Sequence, residues 1–311
     1  MTGATIITAS ESPGPAQAAK STITDATARG VAMVLLATLG WSLGGLFTRM
    51  LTIDIGTAVV LRSLAGGLLM LLYVLMRYRQ SALRELVTLG KVGWVVVLLS
   101  SIAQAATTAG LFLTSVAHVA VIYATCPFVA AIIAWIWLHE RISRTTAIAI
   151  VASLVGIMLV VAGSSGPSSL LGDAVAFVMT ASFAVIIVLS KAHPGLKIVE
   201  ISTVGAFLTS LLFLPFFSTT DLDVRNAVVV SIYGFVAIVF AFLMFIRGAR
   251  HLPAATSGLI ITLEIVLSPF WVWLFFDERI DRLTFIGGAI VAAAVAGHLI
   301  LMSTRPRPIP R

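Results

Sequence analysis

The sequence predicts an all-α integral membrane protein with ten transmembrane helices arranged as two inverted five-helix repeats. Three observations predict this fold class. Hydrophobic residues make up 59% of the chain and charged residues only 11%, which leaves more apolar surface than a soluble core of 311 residues can bury. Apolar runs of membrane-spanning length recur ten times. A sequence motif at the end of the fourth run, a Trp followed after four residues by Glu-Arg-Ile at 135–142, recurs at the end of the ninth run, at 273–280. We call these two segments the repeated phrases.

The elements begin with a polar segment. Residues 1–29 are rich in Ser, Thr, Ala and Pro and have no apolar period, so we predict a disordered cytoplasmic tail. The first apolar run begins at Val31, too late for the core of a cleaved signal peptide, so we predict a retained span. Ten runs of about 20 residues follow, at 31–50, 55–76, 92–115, 118–138, 145–163, 171–190, 198–217, 227–247, 254–276 and 283–303. Residues 304–311, interrupted by proline, form a second tail.

The distribution of cations predicts the orientation. With both termini in the cytoplasm, fifteen Lys and Arg residues lie in inside segments and four in outside segments, and Arg62 falls within the second span. Positive charges are retained on the cytoplasmic side of membrane proteins. We therefore expect a multi-pass protein of the cytoplasmic (inner) membrane with both termini inside.

The repeated phrase indicates a duplication. Sliding the chain along itself until Trp135 superposes on Trp273 also superposes Glu140 on Glu278, Arg141 on Arg279, Ile142 on Ile280 and Thr146 on Thr284. In each copy the residue three positions after the Glu, Ser143 or Asp281, is a good helix N-cap, so each phrase is predicted to be a tight turn between two spans. The alternative interpretation, a Trp at the membrane interface beside solvated charges, explains each motif separately. It does not explain why the two motifs have the same residues at the same spacing.

A second match supports the first. At a slightly larger offset, Thr38 superposes on Thr180, Trp41 on Phe183, Thr48 on Ser190 and Arg49 on Lys191. The halves are therefore predicted to be 30–163 and 164–303, with five spans each. Because five is odd, the second half enters the membrane inverted, and inverted repeats are typical of transporters that open alternately to each side.

Several function classes lack support in the sequence. The cations form no continuous basic face for nucleic acid, and the single Cys126 sits in an apolar run, which favours packing over redox chemistry. No His pair has metal-ligand spacing, and His118 falls at a span end. We find no phosphate loop, hydrolase elbow or paired intramembrane carboxylates, so we expect no cofactor and no enzyme activity. An integral-membrane enzyme acting on lipid-borne substrates remains the alternative from another class.

Two charged residues stand out because they lie inside spans. Arg62 in the second span and Glu264 in the ninth each cost at least ~2.5 kcal/mol to insert, so each should face protein or water. They lie about 10 Å and about 18 Å below the outer surface, a gap that a long Arg side chain roughly closes. Arg62 and Glu264 could form a structural ion pair that fixes the registry of the two helices, or they could have a functional role, and the sequence does not decide between the two.

Polar and aromatic side chains on neighbouring spans complete a candidate site. Ser and Thr are also common packing residues in membrane bundles, and aromatic residues in spans often pack or face lipid, so these residues count as a set. The candidate substrate-binding residues are Trp41, Ser42, Arg62, Gln104, Thr108, Tyr123, Phe183, Ser257 and Glu264. The remaining tryptophans are assigned to interface belts: Trp94, Trp135, Trp137, Trp271 and Trp273. Pro127 and Pro269 are expected to interrupt their spans, as hinges or as irregular packing.

These features together resemble a known family. The 5+5 layout, the phrase around Trp41, LEIVLSPFWVWLFFDERI and its partner ending in LHERI are similar to the drug/metabolite transporter (DMT) superfamily, EamA type, over about 30–303. Within it the chain resembles the YddG-type amino-acid exporters. The family usually has Pro directly after the Glu of the ninth span, where this chain has Ile265.

The resemblance implies a secondary transporter that exports small organic metabolites. The aromatic candidates favour neutral amino acids with aromatic or large apolar side chains as substrates. Export of other metabolites or drugs is the alternative within the superfamily. The expected partners are a small-molecule substrate and membrane lipid, and not nucleic acid; the sequence leaves the oligomeric state and the coupling ion open.

Overall fold

The computed structural model describes residues 15–139, 142, 144–162, 167–252, 257, 260, 261, 263–278 and 280–304, and within these ranges the chain is helical and contains no strand. The helices of the first half are α1 Pro15–Ser42, α2 Gly44–Met50, α3 Ile55–Tyr78, α4 Ala82–Val87, α5 Gly90–Leu113, α6 Val116–Ala124, α7 Cys126–Leu138 and α8 Arg144–Ala162. Those of the second half are α9 Pro167–Ala192, α10 Ile198–Phe213, α11 Val224–Gly234, α12 Ala241–Ala249, α13 Glu264–Phe276 and α14 Arg282–Thr304, with a π-helical segment Phe235–Phe240 that joins α11 to α12.

These helices follow the predicted spans. Within the described residues, seven helices are long and apolar enough to cross a membrane, and three shorter apolar helices lie where the fifth, ninth and tenth spans are predicted. Large apolar side chains such as Leu72, Met76 and Phe285 are half or more exposed, as expected for helices that contact lipid. The start of the ninth span, 254–256, lies outside the described residues. The prediction of an all-α membrane fold is confirmed.

Two helical segments were not predicted. Helix α1 begins at Pro15, inside the segment 1–29 for which we predict a disordered tail, and residues 1–14 lie outside the described residues. Pro at a first helical position and the five Ala residues of 15–29 favour a helix that continues into the first span. The short helix α4 was not predicted. It buries Ala82 and Leu86 while Leu83 and Val87 stay exposed, and six residues are too few for a hydropathy signal.

The packing of the helices is symmetric between the halves. Helix α3 packs on α10 and α8 on α14, which pairs each span with its own counterpart. The pair α5–α9 is matched by α12–α1, and α7–α9 by α13–α1, so exchanging the two halves reproduces these pairs of neighbours. This is the arrangement that two inverted five-helix repeats require.

Spans four and nine are interrupted at matching positions. Between α6 and α7 the Thr125 N–H donates to the carbonyl of Ile122 at 3.2 Å, and between 260 and α13 the Leu263 N–H donates to that of Ile260, also at 3.2 Å. The carbonyls of Thr125 and Leu263 each accept from the N–H groups three and four positions later in the chain. Pro269 lies inside α13, so the break in span nine is upstream of it.

The two repeated phrases also end their helices alike. His139 after α7 and Asp277 after α13 occupy equivalent positions in the two copies, and both adopt the left-handed conformation, with φ of 55° and 51°. This is a common way to end a helix but is unfavourable for a residue with a Cβ. Asp281 caps α14, since its Oδ1 accepts from the Thr284 N–H at 2.9 Å, as predicted. Four residues of the phrases lie outside the described residues: Glu140, Arg141, Ser143 and Arg279.

Candidate functional site

Arg62 lies in α3 and is buried, with 5% of its surface exposed. Its guanidinium carbon is 4.5 Å from the centroid of the Tyr233 ring. Its Nη1 donates to Thr108 Oγ1 at 3.1 Å and to the backbone carbonyl of Gln104 at 3.4 Å. A desolvated cation over an aromatic face gains about 2 kcal/mol, which offsets part of its desolvation. Three predicted site residues, Arg62, Gln104 and Thr108, therefore lie together.

Glycines at the crossing of α3 and α11 bring Arg62 to Tyr233. A Cβ on Gly234 would lie 2.5 Å from the carbonyl oxygen of Arg62, and one on Gly66 would lie 2.9 Å from that of Gly234. Only glycine permits backbones to approach this closely, as is usual in membrane helix pairs. Phe47 stacks on Tyr233, with ring centroids 5.5 Å apart. The Tyr233 ring thus contacts both Phe47 and Arg62.

Unused hydrogen-bonding capacity marks this cluster. Among the described residues, Arg62 Nε and both side-chain amide atoms of Gln104 are buried without a partner. Groups of this kind inside a membrane protein cost free energy unless something satisfies them. Arg62 Nε and the Gln104 amide therefore retain hydrogen-bonding capacity that the described residues do not use.

Tyr123 and Phe183 form an aromatic pair between α6 and α9. Their ring centroids are 5.6 Å apart with an interplanar angle of 66°, the edge-to-face arrangement that aromatic rings prefer. Both rings pack against the cluster of buried side chains that includes Ala106, Met179 and Val272. The structure thus places these two predicted residues in direct contact.

Trp41 is fixed by span eight. Its Nε1 donates to the carbonyl of Ala237 at 3.1 Å, in the π-helical segment, and its ring lies 5.4 Å from that of Phe245. Phe183 occupies the equivalent position in the other repeat but packs on Tyr123 in span four. The two aromatic residues are equivalent in sequence but have different partners.

Ser42 is an interhelical contact. Its hydroxyl accepts from Trp271 Nε1 at 3.0 Å and donates to the carbonyl of Leu39 at 2.8 Å, and it is fully buried. It therefore ties α1 to α13. The assignment of Trp271 to an interface belt is wrong, because its polar atom lies inside the bundle. Sequence position alone placed it near a span end.

Glu264 does not pair with Arg62. Among the described residues the Glu264 carboxylate forms no ion pair or hydrogen bond. Ser257 is buried, with 5% exposure, and its hydroxyl has no partner among the described residues. The two intramembrane charges are thus not paired with each other, and Arg62 lies over the Tyr233 ring instead.

Sequence reasoning missed an ion pair at one end of the bundle. Arg49 Nε donates to Glu278 Oε2 at 2.7 Å, and Arg49 Nη2 donates to the carbonyl of Thr114 at 3.0 Å. Glu278 Oε1 accepts from the Val116 N–H at 3.0 Å. We call this end, where Arg49, Thr114 and Glu278 lie, the Glu278 end. The repeats contained a clue to this ion pair. The superpositions pair Arg49 with Lys191 and Glu278 with Glu140, so a cation and a carboxylate occur at each end of the bundle.

Comparison with known proteins identifies the family. The EamA-like transporter family matches the chain twice, over residues 28–162 and 170–300. The uncharacterized transporter YetK of Bacillus subtilis (strain 168) is 25% identical over 201 residues, 60% of this chain, and the chain spans 60% of the length of that relative. A crystal structure of a protein aligns with a TM-score of 0.62 at 17% identity, covering 89% of this chain and 99% of that one, which shows the fold alone.

The double match agrees with the symmetric packing of the two halves and with the matching breaks at Thr125 and Leu263. The chain belongs to the EamA-like transporter family of the drug/metabolite transporter superfamily and is a multi-pass membrane protein.

Proposed function

We propose that the protein is a secondary transporter that exports neutral amino acids with aromatic or large apolar side chains. The single observation that carries this proposal is the buried Arg62, whose Nε has no partner among the described residues and whose Nη1 contacts the backbone carbonyl of Gln104. The transport occurs across the cytoplasmic (inner) membrane, with both termini of the chain inside, in agreement with the distribution of cations.

The carboxylate of an amino acid suits Arg62. The guanidinium uses Nη1 to hold Thr108 and leaves Nε without a partner, so a donor remains for an anionic group. Charge-assisted hydrogen bonds to a carboxylate are about twice as strong as neutral ones. Gln104, whose backbone carbonyl accepts from Arg62 Nη1, carries a side-chain amide that has no partner among the described residues.

The other parts of the substrate have matching groups. The substrate ammonium suits the Glu264 carboxylate, which has no ion-pair partner among the described residues. The Tyr123–Phe183 pair and the Trp41 ring supply apolar surface for the substrate side chain. An acidic amino acid would bring a second carboxylate without a counter-charge, so we expect weak transport of such substrates.

The two-fold architecture supports alternating access. The interruptions at Thr125 and Leu263 leave short non-helical segments at matching places in the two halves, where spans four and nine can bend. In the proposed orientation the Glu278 end faces outward. The Arg49–Glu278 ion pair joins spans one and nine there, which supports an outer end that is closed in this conformation.

Counterflow into proteoliposomes tests the proposal. Vesicles preloaded with unlabelled phenylalanine should accumulate labelled phenylalanine, tryptophan, leucine and methionine above empty vesicles. Arg62→Gln should abolish this flux, while Arg84→Gln, a matched change of an exposed cation, should not. Flux of a sugar phosphate or a drug cation with none of the four amino acids would overturn the substrate assignment. A lipid product without any flux would favour the enzyme alternative.

A further inference from the structure

Span eight changes its helical register in the middle of the candidate site. The π-helical segment Phe235–Phe240 separates α11 from α12. The Ala241 N–H donates to the Val236 carbonyl, five residues back instead of the four of an α-helix. The rings of Phe235 and Phe240, which are also five residues apart, have centroids separated by 6.4 Å. In an α-helix, side chains at this spacing point in directions about 140° apart, so the ring contact depends on the π register.

The counterpart of span eight in the first repeat is a regular helix. Span three forms α5, which is α-helical throughout from Gly90 to Leu113. Within the described residues, a π-helical segment therefore occurs in the second repeat only. Segments of this kind are rare, usually consist of a single turn inside an α-helix, and are often found at functional sites. The symmetry of the two repeats does not require this one, so it needs a reason of its own.

The π-helical segment sets which side of span eight faces span one. Before the segment, the Tyr233 hydroxyl lies 3.4 Å from where a Cβ on Gly44 would be. After it, the Phe245 ring lies 5.4 Å from that of Trp41. In a regular α-helix, twelve residues would leave Tyr233 and Phe245 on sides about 120° apart. One π-helical turn takes up about one extra residue, which reduces this angle to about 20° and lets both side chains face span one.

Contacts with span one hold the π register. Trp41 Nε1 donates at 3.1 Å to the carbonyl of Ala237, inside the π-helical segment. Among the described residues, this is the only hydrogen bond from a side chain to the segment. One turn before the end of α1, a Cβ on Gly40 would lie 3.0 Å from the Ala241 Cβ, so glycine lets α1 approach the wider turn closely. The indole of Trp41 is thus the specific contact that recognises this register.

We propose that the π-helical segment positions the candidate site: Trp41 holds the π register through the Ala237 carbonyl, and this register keeps the Tyr233 ring against Arg62. Without the indole hydrogen bond, the segment relaxes toward the α-helical register. The two parts of span eight then rotate by about 100° relative to each other, so Tyr233 and Phe245 no longer both keep their contacts. Trp41 is therefore a positioning residue for Arg62. The inference rests on the proposed function only in taking Arg62 and Trp41 as parts of the substrate site.

Fluorine NMR tests this inference without any substrate. The chain has four tyrosines, so labelling with fluorotyrosine gives few resonances, and Tyr233→Phe identifies that of Tyr233. Trp41→Phe keeps an aromatic ring but removes the N–H, and it should split the Tyr233 resonance by adding a second environment. The ratio of π to α register should fall about fivefold, as expected for the loss of one neutral hydrogen bond. Trp94→Phe, a matched change at an exposed tryptophan of span three, should leave the resonance single.

Deletion of Ala237 separates positioning from a general structural role. The deletion removes the extra residue, so span eight becomes a regular helix in which Tyr233 and Phe245 still face span one. The Tyr233 resonance should stay single and near its wild-type position. Adding Trp41→Phe to the deletion should no longer split the resonance, because no π register is left to lose. A merely structural effect of Trp41→Phe would persist in the deletion variant.

Gly40→Ala provides a second variant that leaves Trp41 in place, and it tests the proposal if the deletion variant fails to fold. Its methyl group would lie 3.0 Å from the Ala241 Cβ, which pushes α1 away from span eight, so it should split the Tyr233 resonance as Trp41→Phe does. A resonance that stays single in Trp41→Phe or in Gly40→Ala, or a split that persists in the deletion variant, would overturn the proposal. Because no substrate is present, these results are independent of the amino-acid specificity.

Discussion

The guanidinium carbon of Arg62 lies 4.5 Å from the centroid of Tyr233, so the only cation inside the second span is stabilised by an aromatic face and not by a carboxylate. This arrangement leaves the charge available. A buried ion pair with Glu264 would have satisfied both groups and left little for a ligand. The contact with Tyr233 holds Arg62 in place while its Nε remains without a partner among the described residues.

Replacing Arg62 by Lys distinguishes the contribution of its charge to substrate binding from the contribution of its planar shape. Arg62→Lys keeps the positive charge but loses the planar fork that reaches Thr108 and a carboxylate together. Losing a hydrogen bond to a charged group costs about 1.5–3 kcal/mol, so the apparent affinity for phenylalanine should fall about ten- to a hundredfold. Substrate binding measured by scintillation proximity checks this. Tyr233→Phe is the matched control, because the Tyr233 hydroxyl has no partner among the described residues and its loss should leave binding unchanged.

Shortening Trp41 should change selectivity. Trp41→Ala removes the ring that packs on Phe245, and with it apolar surface for the substrate side chain. We expect a larger loss of flux for tryptophan and phenylalanine than for alanine, since a large substrate side chain loses more contact. Trp41→Phe keeps a ring but loses the hydrogen bond to Ala237, so it separates packing from anchoring. Equal losses for large and small amino acids would argue against a place in the substrate pocket.

Removing the ion pair between Arg49 and Glu278 should loosen the Glu278 end. Arg49 also donates to backbone carbonyls, including that of Thr114, so Arg49→Ala should destabilise this end more than Glu278→Ala. Both side chains are about a quarter exposed, which weakens the pair by solvent screening, so the coupling in a double mutant cycle should be about 0.5–1 kcal/mol. Thermal unfolding in detergent gives the free energies of unfolding of the wild type, the two single variants and the double variant. Strict additivity would show that the two residues act independently.

Single cysteines can establish the orientation. In the Cys126→Ala background, cysteines at Thr52, Ser168 and Thr220 should react with an impermeant thiol reagent added outside intact cells. The positive-inside distribution of cations predicts this result. A cysteine at the exposed Gln80, on the opposite side, should react only after the cells are opened. The reverse pattern would invert the proposed orientation and place the Glu278 end in the cytoplasm.

The sequence alone predicts the spans and their repetition because both depend on local information. Hydrocarbon thickness sets the length of an apolar run, and the superposition that pairs Trp135 with Trp273 also pairs the left-handed helix ends at His139 and Asp277. The N-cap role of Asp281 was predictable for the same reason, since its partner is Thr284, three residues away. The division into halves at 163 and 164 stays a prediction, because these residues lie outside the described ranges.

Only the tertiary structure decided which polar side chains meet. Arg62 contacts Tyr233 rather than Glu264, Ser42 contacts Trp271, and His118 joins Asp173 to Thr284, in each case across spans far apart in the chain. Such contacts depend on how each helix is rotated about its axis and how closely it approaches its neighbour, as where Gly66 meets Gly234. Apolar residues on every face of a span leave the rotation undetermined by hydropathy, because lipid and the bundle interior are both apolar.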